Sequence, residues 1–321
     1  MKRLICKRLL QIIPMLIGMS FVSFVIIQSS PGDYFAQMKM NPEISPETIE
    51  AMKVSFGLDR PFIVQYFFWL KNICKFDFGV SFAYHMPVRT LIKFRLKNTI
   101  CLAIFSLFLS WVIAVPLAVL AGYKEGTFID KFFSTLAYIS ISLPSFFVAL
   151  LFVYFISKTG VLPLGGTRSI FEMNASSFVI FKDYMRHLLV PGLVLCFVNI
   201  GGLFRLMRNN FIETFHTPYV LAAWARGLPT FSVVFKHALK NALNPMFTIL
   251  GMEIGTLLNG AALTEIISGW PGMGSLILEA VLSHDLYLVM GSLVISGFLL
   301  IIGNLIGDIL IAFFDPRIRL T

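Results

Sequence analysis

The residues of this chain able to do chemistry in an apolar setting are few, and the most prominent is a carboxylate. Glu253 sits near the middle of a long hydrophobic stretch, with Thr256, Gly260 and Thr264 following at three, seven and eleven positions. On a helix this spacing places all four on one face. Asn259 joins them as a candidate for the same path, and Glu265 lies close by. A charge at the bilayer centre costs roughly 2.5–3.5 kcal/mol on insertion scales, so such a residue faces a bundle interior or a wet cavity. The face has two readings: it lines a pathway, or it packs closely against another helix through Gly251, Gly255 and Gly260 with a neutral or hydrogen-bonded carboxyl. Just beyond it, Ser268-Gly269-Trp270-Pro271-Gly272-Met273-Gly274 demands turns, and a tryptophan suits a membrane interface. Trp270, Pro271 and Gly272 are therefore candidates for an outer gate or re-entrant turn, with an ordinary interfacial loop as the alternative.

Other chemistries lack their residues. There is no GxxxxGK[ST] phosphate loop, no HExxH, no GxSxG and no helical pair of metal-ligand histidines. The five histidines, His85, His187, His216, His237 and His284, fall in predicted loops or near membrane surfaces and read as solvated or interfacial. Cys6, Cys74, Cys101 and Cys196 are dispersed without a CxxC pair, and Cys74, alone in a predicted outer loop, has no evident disulfide partner. No catalytic residue, metal site or cofactor is expected in this chain.

The elements that must position these residues follow from composition. With 57% hydrophobic residues, 13% charged residues and 33 phenylalanines, the chain lies outside soluble composition. Crossing a hydrocarbon core takes about 20 apolar residues as helix. Six stretches meet or approach that length: Leu9 to Ile27, Thr99 to Ala121, Phe132 to Ile156, Leu188 to Phe204, Ala242 to Ile267 and Leu286 to Phe314. The expected fold is an all-α polytopic membrane protein. Lys2, Arg3, Lys7 and Arg8 precede the first span, which is read as a retained helix rather than a cleaved signal. Placing both termini in the cytoplasm puts most Lys and Arg of the short loops there, so the net charge of +9 reflects topology and not nucleic-acid binding. Residues 1–98 form the first span and its outer-face loop, and residues 99–321 a five-helix core. In the outer loop, Ser45-Pro46-Glu47 opens a helix to about Phe56, and a second runs from Pro61 to about Cys74. Phe62, Tyr66, Phe67, Phe68 and Trp69 call for burial, so this loop is expected to fold as a cap.

Between the fourth and fifth spans lies a polar island, about residues 205–244. Thr217 is a good N-cap, Pro218 suits the first helical position, and Gly227 with Pro229 just beyond spells a stop. The short helix so defined, Tyr219 through Arg226, is too apolar for a fully solvated loop. Something should cover it.

Nearly the whole chain resembles the membrane subunits of binding-protein-dependent ABC importers, in the dipeptide, oligopeptide and nickel permease family. The resemblance rests on Pro31-Gly32-Asp33, Phe56-Gly57-Leu58-Asp59-Arg60-Pro61 with Val64-Gln65-Tyr66, and Phe76-Asp77-Phe78-Gly79. It continues through His237-Ala238-Leu239-Lys240-Asn241-Ala242-Leu243 with Pro245, Glu265 with Trp270-Pro271-Gly272-Met273-Gly274, and Asp315-Pro316-Arg317-Ile318-Arg319. It implies a type I importer-like permease of six transmembrane helices in the bacterial inner membrane. Its implied partners are a second homologous permease, two ATPase subunits that bind ATP and magnesium, an extracytoplasmic solute-binding protein and the bilayer. It also implies that the polar island is the so-called EAA loop, whose short helix docks in the ATPase. Pro218, Tyr219, Ala222, Ala223, Arg226 and Gly227 are the coupling candidates. Ala222, Ala223 and Gly227 match the pattern, whereas Leu221 stands where the name-giving glutamate is expected. Glu253 stands where the peptide branch would have glutamine, which leaves a cationic or metal-chelate substrate as an alternative to peptides. An ATP-independent secondary transporter is the rival class, but no inverted repeat stands out.

Overall fold

The computed structural model describes residues 2–29, 34–35, 39, 45–169, 176–247, 249–250, 253 and 262–314, with side chains described within 10–307 and at 309. The helices run α1 (Lys2–Ser29), α2 (Pro46–Ser55), α3 (Phe62–Ile73), α4 (Val88–Tyr123), α5 (Phe128–Ser142), α6 (Ser145–Thr159) and α7 (Ser177–Phe215). Then follow α8 (Pro218–Ala225), α9 (Thr230–Ser232), a π turn over Val233–Ala238, α10 (Leu239–Ala242), α11 (Ala262–Ser268), α12 (Met273–Leu282) and α13 (Leu286–Phe314). The β content among the described residues is an isolated antiparallel bridge between Val80 and Pro87.

Among the described residues, four helices are long and apolar enough to cross a membrane: α1 over Leu10–Ser29, α4, α7, and α13 over Leu286–Gly307. The predicted third span is not one straight helix. It is the pair α5 and α6, bent by 105°. The cause is Pro144, which forces Leu143 into the extended region (φ −90°, ψ 130°) and restarts the chain as a new helix. The predicted fourth span lies inside the 39-residue α7, about 58 Å long at 1.5 Å per residue and so much longer than a ~30 Å hydrocarbon core. Helix α7 therefore takes in the last part of the expected second outer loop and the first part of the polar island. Of the predicted fifth span, residues 248, 251–252 and 254–261 lie outside the described residues.

The chain divides into two compact units. One comprises residues 2–98 with 272–299. Its helix α2 begins as the sequence predicts: Ser45 is extended, and its hydroxyl accepts from the Thr48 N–H at 3.2 Å. Phe24, Tyr66, Trp69 and Phe82 are buried together with Leu286 and Met290. Phe67 and Phe68 break the expectation of burial, standing 61% and 47% exposed, because one face of α3 carries Tyr66 and Trp69 inward while these two point away. Arg60 lies over the Phe68 ring at 4.9 Å.

The other unit comprises residues 99–271 with the chain from Leu300 on. Here glycines set the helix spacing. A Cβ at Gly201 of α7 would strike the Ala137 carbonyl of α5, and one at Gly192 would lie 2.5 Å from Phe105. Small residues at such points let helix backbones approach closely. At the same crossing the Ser140 hydroxyl donates to the Phe197 carbonyl.

Candidate functional site

The polar island folds around α8. Thr217 is extended, but its side chain makes no cap bond to α8; its hydroxyl donates instead to the Thr214 carbonyl at 2.5 Å. Pro218 supplies the preset first position of α8. At the other end Gly227 takes φ +75°, and its N–H reaches the Trp224 carbonyl at 2.9 Å while the Leu228 N–H reaches the Ala223 carbonyl at 3.4 Å. This pair of bonds is the left-handed closure that only glycine adopts without strain.

Helix α8 has two apolar sides with different fates. Val220 and Ala223 are fully buried in a core with Met207, Phe211, Val233, Val234 and Ala238. Tyr219, Leu221 and Trp224 stand 41%, 54% and 37% exposed, and Ala222 is exposed beside them. Of the coupling candidates, Pro218, Tyr219, Ala222, Arg226 and Gly227 are on the surface, whereas Ala223 is internal. An arginine at 223 would therefore disrupt the loop's own packing and say nothing about docking. Tyr219 also bridges forward: its hydroxyl donates to the His237 carbonyl at 3.2 Å and accepts from the Asn241 amide at 2.6 Å.

The path candidates are described only in part. Glu253 is half-buried, and the Trp111 indole N–H donates to its carboxylate at 3.1 Å. Thr264 and Glu265 are fully buried, with the Thr99 hydroxyl donating to Glu265 at 2.6 Å. Thr256, Asn259 and Gly260 lie outside the described residues.

The turn after α11 holds the gate candidates. Trp270 is 1% exposed, packed with Leu102, Leu188 and Leu195 and edge-on to Tyr184 at 5.6 Å between ring centres. Its N–H donates to the Glu265 carbonyl at 2.8 Å. Gly269, at φ +67°, meets the Leu162–Gly166 turn: a Cβ there would lie 3.0 Å from the Gly165 Cα, and the Gly166 N–H donates to the Gly269 carbonyl at 2.9 Å. Pro271 follows, half-buried. Gly272 belongs to the other unit, where its N–H donates to the Ser275 hydroxyl at 3.1 Å at the start of α12.

Three polar clusters escape a reading by local motif. Asp130, 4% exposed, accepts from Arg208 Nε at 2.5 Å and Nη2 at 2.7 Å, and also from the Gly126 N–H at 2.9 Å. This bidentate pair ties the first turn of α5 to α7 just ahead of the short helix. Asp183, 8% exposed, accepts from the Ser169 N–H and hydroxyl, each at 2.7 Å, and His187, read from the sequence as solvated or interfacial, is buried beside it. In the other unit, the buried Asp285 carboxylate accepts from the Ser81 hydroxyl at 2.5 Å and the Ala83 N–H at 3.0 Å. Nearby Glu279 accepts from Arg95 at 2.9 Å and from the Tyr84 hydroxyl. Burial and the Glu279 carboxylate push the Tyr84 phenol above its usual range. Each pair spans more chain than a local motif covers. Among the described residues no group of His, Cys, Asp or Glu could hold a metal ion.

The geometry offers buried polar pairs within each unit and, in α8, a short helix packed on one side and apolar on its exposed side. Residues 1–103 match the family model for the N-terminal part of binding-protein-dependent transport system membrane components, and residues 114–320 match the one for their inner membrane component. The chain belongs to this family of transport permeases. The permease is 37% identical over 317 residues to the oligopeptide transport system permease protein AppB of Bacillus subtilis (strain 168), covering 98% of each chain. It is 36% identical over 324 residues, 100% of each chain, to a peptide permease protein of Brucella suis biovar 1 (strain 1330). It is 31% identical over 327 residues to the dipeptide transport system permease protein DppB of Alkalihalophilus pseudofirmus, covering 98% of each. The permease is thus the membrane-spanning, inner-membrane subunit of a bacterial ABC importer served by a binding protein.

Proposed function

We propose that the permease carries peptides inward and that α8 couples it to ATP hydrolysis. The peptide assignment rests on the relatives, which are named for oligopeptide, dipeptide and peptide transport. In this reading the permease pairs with a second homologous membrane subunit and two cytoplasmic ATPase subunits, which hold ATP and magnesium, and receives substrate from a solute-binding protein outside. Six spans cross the membrane with both termini in the cytoplasm. The bent pair α5 and α6 counts as one span and the stretch 242–267 as another. Residues 1–98 supply the first span and the outer-face loop, and residues 99–321 the core. Glu253, Thr256, Asn259, Gly260 and Thr264 border the path, and the Trp270 to Gly272 turn closes its outer end.

The observation that carries the coupling assignment is the split of α8. Val220 and Ala223 anchor it to the permease core, while Tyr219, Leu221 and Trp224 present apolar surface outward. An anchored helix with an uncovered apolar face fits a cleft in another protein, and it transmits force only because its other side is packed. The test is Ala222→Arg, alone and with Leu221→Arg, in the assembled importer. These exposed changes should leave membrane levels intact, remove the ATPase subunits from the purified complex and abolish uptake. Full ATPase recovery with normal uptake would sink the assignment.

A further inference from the structure

We propose that Tyr219 is a positioning residue that latches the short helix to the π turn, and that this turn is the joint through which movement of α8 reaches the helix beyond. The inference rests on the coupling role just proposed for α8. The six residues Val233–Ala238 form a π turn, closed by the Leu239 N–H bonding the Val234 carbonyl five residues back. An α-helix would put positions five apart about 140° from each other around its axis. The wider winding of the i→i+5 π turn instead brings such positions toward the same side. Val233 and Ala238 are five apart, and both are fully buried in the core that holds Val220 and Ala223. The extra residue of the π turn therefore makes the seat on which α8 rests, and α8 packs directly on it.

The latch is the Tyr219 hydroxyl. It donates to the His237 carbonyl, inside the π turn, and accepts from the Asn241 amide, one turn further along in α10. One atom of α8 thus holds both the π turn and the helix that follows. A π turn is a local exception to the α ladder, found at functional sites because the backbone can regain α geometry by losing one residue of register. Pulled through Tyr219 and the Val220–Ala223 face, this segment moves with α8; without the hydroxyl, α8 slips over its seat.

The experiment uses the whole importer in vesicles with its binding protein, measuring ATP hydrolysed per peptide taken up. The probe is the isotope-labelled peptide pool eluted from the binding protein that co-purifies with the wild-type complex. Tyr219→Phe keeps the ring and loses both hydrogen bonds. It should raise the ratio of ATP hydrolysed to peptide taken up, by about fivefold for each net hydrogen bond lost. Asn241→Ala should shift the ratio in the same direction, and the double variant should be no worse than the more severe single, as residues acting through one node are non-additive. Deleting Lys236, which lets the π turn become α, should raise the ratio as well; if that chain fails to insert, the phenylalanine variant decides alone. An unchanged ratio, additive losses, or hydrolysis falling in step with uptake would overturn the latch. Failure of the coupling role itself reads differently, because the wild-type permease would then purify without ATPase subunits.

Discussion

Two turns of this permease are built from the same residue types and meet opposite ends. Around α8, Trp224 is 37% exposed and Gly227, at φ +75°, has open space where a Cβ would go. After α11, Trp270 is 1% exposed and Gly269, at φ +67°, is pressed against Gly165. The first turn leaves its apolar surface uncovered by this chain, and the second buries it within the chain. Tryptophan and glycine by themselves do not distinguish a docking surface from an internal seal. What distinguishes them is whether another segment of the same chain arrives to cover the ring.

The sharpest break of this contrast is a pair of truncations. Trp270→Ala should cost about 3–5 kcal/mol, the usual range for a large aromatic removed from a packed site. Trp224→Ala, which still loses its edge contact with Phe215, should cost about 1 kcal/mol, and chiefly reduce recovery of the ATPase subunits. Denaturant titration in micelles and quantitative co-purification read the two effects. Equal stability losses would erase the distinction.

The next effect concerns how the α8 side holds itself together without its outward face. Asp130→Ala removes a buried carboxylate that engages Arg208 twice, which should cost about 3 kcal/mol because the guanidinium loses its partner in a partly buried setting. Asp130→Ala together with Arg208→Met should recover much of that loss. A lone Asp130→Ala that melts like wild type would show that the pair is ornamental.

The smallest effect separates the two glycines. Gly227→Ala meets only the left-handed backbone penalty, about 1 kcal/mol. Gly269→Ala adds a Cβ 3.0 Å from the Gly165 backbone and should cost about 2–3 kcal/mol in all. Comparable values for both would mean that the Gly165 turn yields freely and seals nothing.

These contrasts also mark what was legible in the residues themselves. The bounds of α8 were readable because proline at its start and glycine after its end act on their own backbone. Helices α2 and α3 were readable for the same local reason. The break between α5 and α6 was within reach, since Pro144 stands in plain view, but hydropathy is continuous across it and hydropathy alone draws one span. The burial of Trp270 was not readable, because its cover comes from Leu102, Tyr184 and Leu188, distant in sequence. The Asp130 and Arg208 pair likewise joins residues that no short motif links. The inward side of α8 was hidden too: Ala222 and Ala223 look alike in sequence, and only the π turn beneath decides which one is covered.

The length of α7 carries one more consequence. It is one continuous helix with Pro191 inside it, and it meets α5 tightly at Gly201, where the Ala137 carbonyl fills the place of a side chain and the Ser140 hydroxyl grips the neighbouring turn. From that pin to Phe215, next to α8, is about 21 Å, and to Ser177 about 36 Å. Where the helix stays stiff through Pro191, rocking about Gly201 moves its far end about 1.7 times as far as its loop end. A small tug at the loop would be geared up to a wide swing on the opposite side.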